Sequence, residues 1–431
     1  MKQAIMMWMR RAAALLQPGI GLKRLTLMGA GGAALAGAGL AGIVRLRNSG
    51  AFAGPVDLCI ILLLTGLTGI LGGIGMMLIR LLRARKHGGL GVDVSWSDVF
   101  KLRKTLMKGP RIVALGGGTG MATLLRGLKK ITSNLTVVVT VADDGGGSGV
   151  LREELGILPP GDIRNCIIAL SDAEPYMERL LQYRFTDGKL KGQSFGNLYL
   201  AAMSGISGGF LEAVERISDI LAVTGRVLPV SLDNIRLCAR LNGGAVVEGE
   251  SNIGVAQKEY GGHIEKVWLE PAGCTALPEA LDAIREADII VLGPGSLYTS
   301  IIPNLLVPGI AQAIRASHAV RIYATNLMTQ PGETEGYDAT DHLRALADHA
   351  GEGIAQCILV NNNLRIPPAL MKKYLDDHAE PVTYDRAELR SVGLLVEERD
   401  LLRVEGELLR HDSDRLAAAI IDIYRQAQWR M

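Results

Sequence analysis

The chain has 431 residues, enough for two or three structural units, and its 48% hydrophobic content excludes a disordered protein. Lys and Arg total 46 against 44 Asp and Glu, a net charge of +2 that gives no sign of a nucleic-acid-binding protein. The five cysteines (Cys59, Cys166, Cys238, Cys274 and Cys357) show no CxxC or Cys/His spacing, which argues against a disulfide framework and structural zinc and for a reducing compartment.

The overall charge hides an asymmetry. Through Pro110 there are 15 basic and 3 acidic residues, a balance of +12, whereas the remainder carries −10. Two uncharged apolar runs lie in the basic part, Leu25 to Val44 and Leu58 to Ile79, of 20 and 22 residues. Each as a helix spans about 30 Å, the thickness of a bilayer's hydrocarbon core. Gly69 and Gly73 form a GxxxG, and Ala33, Gly37 and Ala41 repeat small residues at the same spacing, as close helix packing in lipid favours. Lys2, Arg10, Arg11, Lys23 and Arg24 precede the first run, and Arg80, Arg83, Arg85 and Lys86 follow the second. The positive-inside bias therefore predicts a two-span cell-membrane protein with both ends in the cytoplasm and a short external loop. A cleaved signal peptide fits two such runs poorly. Lys101, Arg103, Lys104 and Lys108 then form a tether that is either a solvated linker or a contact for anionic headgroups. The expected organisation is a basic segment over 1–24, two membrane helices within 25–79, a basic linker over 80–110 and a domain over 111–431.

From Arg111 short apolar runs alternate with amphipathic stretches. Strands are expected at Arg111 to Leu115, Leu135 to Val141, Ile289 to Leu292, Ile322 to Thr325 and Ile358 to Val360. Helices are expected at Met121 to Lys130, Pro278 to Glu286, Ile310 to Ala316, Asp341 to His349 and Pro367 to Asp376. The alternation requires crossover connections, and so an α/β fold: a Rossmann-like, mostly parallel sheet with helices on both faces. Ile235 to Glu250 alternates around Asn242-Gly243 instead, which reads as a β-hairpin excursion.

Gly116-Gly117-Gly118-Thr119-Gly120 lies between a strand and a helix, where bare backbone amides at the helix start face an anion. Met121 stands where the dinucleotide fingerprint GxGxxG has its last glycine, so the match to a nicotinamide or flavin site is partial. Asp143-Asp144-Gly145-Gly146-Gly147-Ser148-Gly149 follows the second strand, where carboxylates suit a ribose or a divalent cation. Two such turns at neighbouring strand ends predict one crevice. Pro160 to Asn165, Ser194 to Asn197, Gly293 to Ser300 and Thr325 to Gln330 add further polar or glycine-rich segments. Together they point to a nucleotide-sized ligand.

No GxxxxGK[ST] and no HExxH is present. Gly205 to Gly209 fits GxSxG but joins two expected helices, whereas a nucleophile elbow needs a strand-to-helix turn. His318, His342, His349 and His378 read as surface residues on helices.

GGGTG at Gly116, TVADDGGGSG at Thr140, PGDIRNC at Pro160, SFGNL at Ser194, GPGSLYTSIIPNLLV at Gly293 and TNLMTQPGET at Thr325 together resemble the bacterial gluconeogenesis-factor family. That family shares a superfamily with the 2-phospho-L-lactate transferases of deazaflavin cofactor synthesis. The resemblance runs from Arg111 to the C-terminus and leaves out the membrane hairpin. It implies a Rossmann-like cytosolic domain that binds a UDP-sugar, notably UDP-N-acetylglucosamine, and acts on cell-wall synthesis and cell shape during gluconeogenic growth. Regulators of cell-wall synthesis and further copies of the chain are the partners it implies, with no required cofactor. By similarity, Tyr374 in MKKYLDDHAEPV and Arg410 in LLRHDSDRLA contact the sugar nucleotide. The expected ligand-binding set is thus Gly116, Gly117, Gly118, Thr119, Gly120, Asp143, Asp144, Gly146, Gly147, Asn197, Gly293, Gly295, Ser296, Asn326, Tyr374 and Arg410. No general base is evident, so ligand sensing without turnover is expected; the alternative is a transferase of phosphorus-containing groups in which Asp143 or Asp144 binds magnesium.

Overall fold

The computed structural model describes residues 23–49, 56–86, 105–172, 175–260 and 263–428. The expected basic residues Lys2, Arg10 and Arg11, and Lys101, Arg103 and Lys104 of the tether, lie outside the described residues. The chain divides into a unit of residues 1–105 and a unit of residues 106–431.

In the first unit, helix α1 (Lys23–Ser49) runs antiparallel to helix α2 (Val56–Lys86). Their contact is made backbone to backbone. A Cβ on Gly32 would lie 2.7 Å from the Gly66 carbonyl oxygen, and one on Gly39 2.5 Å from that of Cys59. Gly32, Gly39, Gly66 and Gly73 are buried, whereas Ala33, Gly37 and Ala41 are exposed. The seam therefore repeats every seven residues on α1, the spacing that keeps one stripe facing an antiparallel partner. The expected four-residue repeat on that helix points away from it. One described helix segment, Asp57–Met76, is long and apolar enough to cross a membrane; the apolar part of α1, Gly31–Leu46, is shorter.

The second unit is built on β1 (Ile112–Gly116), β2 (Leu135–Val139), β3 (Arg226–Pro229), β4 (Arg236–Leu241), β5 (Val246–Glu248), β6 (Ile264–Glu270), β7 (Ile289–Leu292), β8 (Val320–Ala324), β9 (Cys357–Asn361), β10 (Leu395–Arg399), β11 (Leu402–Glu405) and β12 (Leu408–His411). Seven of these form a parallel sheet in the order β10-β9-β8-β7-β1-β2-β3. All five residues of β1 and all four of β7 are buried, as continuous aliphatic runs in a sheet covered on both faces must be. The chain lays down β1, β2 and β3 in one direction and then returns to the other side of β1 with β7. This reversal opens a crevice at the carboxyl ends of β1 and β7.

Helix α3 (Gly118–Leu128) follows β1 directly and buries Met121, Leu124, Leu125 and Leu128, one face at 3.6-residue spacing. Its Gly127 packs on the Ser413 carbonyl, at the start of the last helix (Ser413–Gln428), too closely for any side chain. The Asn242-Gly243 excursion is present: β4 and β5 pair antiparallel, and β6 completes a three-stranded sheet on the other side of β4. Gly208, in the left-handed region at φ 90°, breaks helix Phe195–Ser207 from helix Phe210–Ile220, so the GxSxG indeed joins two helices.

His342 is fully buried, unlike the expected surface residue. Its position on helix Ala339–Ala350 shares the inward stripe of Ala345 and Leu346, and its Nδ1 lies 2.7 Å from the Tyr323 hydroxyl. His349 is half-buried on the same helix, and His318 sits in a loop.

Candidate functional site

A cavity of about 420 Å³ opens at the reversal point, against the carboxyl ends of β1, β7 and β8. Its floor is the turn from β1 into α3. Gly117 caps α3 with extended backbone and no side-chain bond of its own; Asp162 takes the Gly118 N–H, which leaves Thr119 and Gly120, both lining the cavity, at the positive end of the helix dipole. Gly118 has φ +69°, the left-handed region, and a Cβ there would meet nothing within 4 Å. At Gly120, by contrast, a Cβ would lie 2.6 Å from the Pro294 carbonyl oxygen, so the loops after β1 and β7 touch along their backbones.

The walls come from the other strand ends. The Gly295 N–H donates to Asn326 Oδ1 at 3.2 Å, and Ser296 Oγ donates to Gln330 Oε1 at 2.7 Å. These bonds tie the β7 loop to the β8 loop. The far wall is the β11–β12 hairpin and the helix Pro368–Asp376. The Leu409 N–H donates to the Tyr374 hydroxyl at 2.9 Å, and Arg410 Nη1 lies 3.4 Å from Thr119 Oγ1. Next to it, burial pushes His411 down to about 4, so its imidazole is neutral and Arg410 is the one cation among the lining residues.

Of the expected set, Gly117, Gly118, Thr119, Gly120, Gly295, Ser296, Asn326, Tyr374 and Arg410 line this cavity. Gly116 and Gly293 do not. They lie behind it, where a Cβ on Gly293 (φ +76°) would press on the Ala324 carbonyl at 3.0 Å. Asp143, Asp144, Gly146, Gly147 and Asn197 are not among its lining residues, although Asp143 lies close enough to raise Asp162, which sits against the glycine turn. Asp143 Oδ1 accepts the Gly145 N–H at 2.9 Å, and Asp144 Oδ1 accepts the Ser251 N–H at 2.8 Å. The chain from Gly146 to Leu155 then coils into a helix that leads away. Asn197 is buried, accepting from Arg164 Nη1 at 2.7 Å and donating to Ser148 Oγ at 3.5 Å.

Four carboxyl groups lie along this second face. Asp162 accepts the Gly118 N–H from beneath the glycine turn; burial and the nearby Asp143 raise it to about 6. Burial likewise raises Asp143, takes Glu333 to about 7 and, with help from Asp143 and Glu333, takes Glu250 to about 8. Glu333 accepts from Tyr298 N at 3.3 Å, Thr299 Oγ1 at 3.1 Å and Gln330 Nε2 at 2.6 Å. Asp162 and Glu333 lie in motif segments but carry no individual signal in the sequence, and Glu250 carries none. Among the described residues no group of three or more His, Cys, Asp and Glu is arranged to hold a metal. Asp143 and Asp144 each engage one carboxylate oxygen with an amide, of Gly145 and Ser251 respectively.

The model of the family described as 2-phospho-L-lactate transferase CofD matches residues 112–402. The gluconeogenesis factor of Bacillus subtilis is 48% identical over 318 residues, covering 74% of this chain and 99% of that protein. A relative from Nostoc sp. is 44% identical over 425 residues, covering 95% of this chain and 92% of its own, so that similarity takes in the N-terminal unit as well. A crystal structure of a UPF0052-family protein from Bacillus halodurans superposes with a TM-score of 0.69 at 47% identity, over 72% of this chain and 99% of that one. With its fold, its strand-end motifs and two thirds of its length matched, the chain belongs to the CofD family and is similar there to proteins named gluconeogenesis factors.

Proposed function

We propose that the cavity binds a UDP-sugar, with UDP-N-acetylglucosamine foremost, and that the protein is a ligand-responsive regulator of cell-wall synthesis and cell shape during gluconeogenic growth. The observation that carries this reading is the glycine turn Gly117–Gly120, with Thr119 and Gly120 at the start of α3 beside Arg410, in one cavity at the strand-order reversal. Amides and a guanidinium fork suit a diphosphate; the tethered Tyr374 ring and Asn326 suit a base or sugar. The N-terminal helix pair, in this reading, spans the membrane as a hairpin and holds the domain on the cytoplasmic side. Calorimetric titration of the full-length chain in detergent with UDP-N-acetylglucosamine, UDP-glucose and NAD tests the ligand. UDP-sugars are expected to bind and NAD is not; saturable NAD binding without UDP-sugar binding overturns the reading.

A second reading, a magnesium-dependent transferase, is favoured by the family model and by the carboxyl cluster beneath the glycine turn. Incubation with magnesium and nucleotide donors separates the two. Steady product formation that is lost in Asp144→Asn replaces the sensor with an enzyme.

A further inference from the structure

A second cavity, of about 400 Å³, lies between the start of β6, the turn after β7 and helix Ala339–Ala350. Its chemistry is unlike that of the first. Glu265, Glu335 and Asp348 line it, and its one guanidinium, Arg344, is already paired with Asp341 at 2.6 Å. His349 brings no free donor: its Nε2 accepts the Val267 N–H at 3.0 Å and its Nδ1 lies 2.7 Å from the Ala345 carbonyl. The remaining wall is aromatic. Tyr298 and Tyr337 join hydroxyls at 3.0 Å, and the His263 ring stands 6.3 Å from the Tyr337 ring. A pocket lined by the Glu265, Glu335 and Asp348 carboxylates, with its one guanidinium already paired, repels anions and attracts a compact organic cation.

The two cavities share a wall. Tyr298 belongs to the second, and its own N–H donates to Glu333. Glu333 accepts in turn from Gln330, and Gln330 accepts from Ser296; both of these residues line the first cavity. A continuous hydrogen-bonded chain thus runs from the turn at Tyr298 to the wall of the first cavity.

We propose that the second cavity is a ligand site for a small organic cation bearing an alkylammonium or guanidinium group, and that its occupancy changes affinity at the first cavity through Glu333. The binding half stands by itself; the coupling half rests on the UDP-sugar reading. The test is calorimetric titration of the full-length protein in detergent with agmatine, without nucleotide. Saturable binding is expected, weakened about tenfold in Asp348→Asn and again in Glu265→Gln, since each loses one charged contact at an exposed position that folding tolerates. Absence of saturation by about 10 mM agmatine, or equal affinity in wild type and both variants, overturns the site. Calcium that binds there and displaces agmatine overturns the choice of ligand. Saturating agmatine is further expected to change UDP-N-acetylglucosamine affinity about fivefold, with the reciprocal change in agmatine affinity. An unchanged affinity overturns the coupling. If UDP-sugars do not bind at all, the agmatine titration still decides the second cavity.

Discussion

Arg410 Nη1 stands 3.4 Å from Thr119 Oγ1, so the last strand of the domain meets the first turn of α3 across 291 positions of chain. The contact sets a fixed positive charge beside Thr119 and Gly120 at the start of α3. It also explains why the C-terminal hairpin belongs to the site although it is no part of the main sheet: β11 and β12 pair only with each other, and they carry Arg410 to the cavity rim.

Arg410→Ala is expected to weaken UDP-sugar binding by about 10- to 100-fold, the loss of a charge-assisted contact. Because the residue is half-buried at the cavity rim, stability should fall by no more than about 1 kcal/mol. Arg410→Lys keeps the charge but not the fork, and should recover only part of the affinity. Calorimetry and a thermal melt of each variant check both statements.

Gly118→Ala is expected to cost about 1–2 kcal/mol in stability, because φ +69° is unfavourable for any residue with a Cβ. The larger Gly118→Val combines the same strain with branched bulk at the cavity floor, and should also weaken ligand binding while the domain still folds. A Gly118→Val protein that binds as wild type removes the diphosphate from this turn.

Stability should fall as pH rises from about 5 to about 8. Glu333 and Glu250 titrate near 7 and near 8 in the folded chain, against an ordinary value of 4.5. The folded state therefore holds more protons than the unfolded chain across that window. The stabilisation is complete below 4.5 and is lost as pH passes the folded values. Glu250→Gln removes one of these protons from the balance and should flatten the dependence of melting temperature on pH. Ligand affinity should decline through about pH 6, where Asp162 gains charge directly beneath Gly118.

Removal of the residues before Met107 should leave a soluble domain that binds ligand with unchanged affinity, since the second unit begins at Leu106 and holds every residue of the cavity. Sedimentation of the truncated chain with membranes would show that the anchor lies elsewhere. In the full chain, Gly39→Leu should disrupt the helix pair where the backbones touch, whereas Gly37→Leu should be tolerated, because a Cβ there meets nothing within 4 Å.

The parallel sheet was legible because its strands are unbroken aliphatic runs bounded by glycine: Ile112–Gly116 and Ile289–Leu292 leave no alternative to burial on both faces. Strands β10, β11 and β12 were not, since LVEER, LRVE and LLRH mix charge with short apolar stretches and take their place only through tertiary pairing. Seven of the nine expected residues that line the cavity follow the legible strands β1, β7 and β8, whereas Tyr374 and Arg410 were indicated by the family resemblance alone. Asp143 and Asp144 are not among the cavity's lining residues: Asp143 turns back to the Gly145 N–H two positions on, and Asp144 is held by the Ser251 N–H, 107 positions on, which no local pattern announces. His342 was misplaced for the same kind of reason: one inward-facing histidine is compatible with either face of a short helix until the partner, Tyr323, is known.

The most direct test is a calorimetric titration of UDP-N-acetylglucosamine into full-length protein beside its Arg410→Ala and Gly118→Val variants. Saturable binding to the wild type, reduced at least about tenfold in both variants, is the predicted result. No binding to the wild type, or one affinity shared by all three proteins, contradicts a diphosphate held between the glycine turn and Arg410.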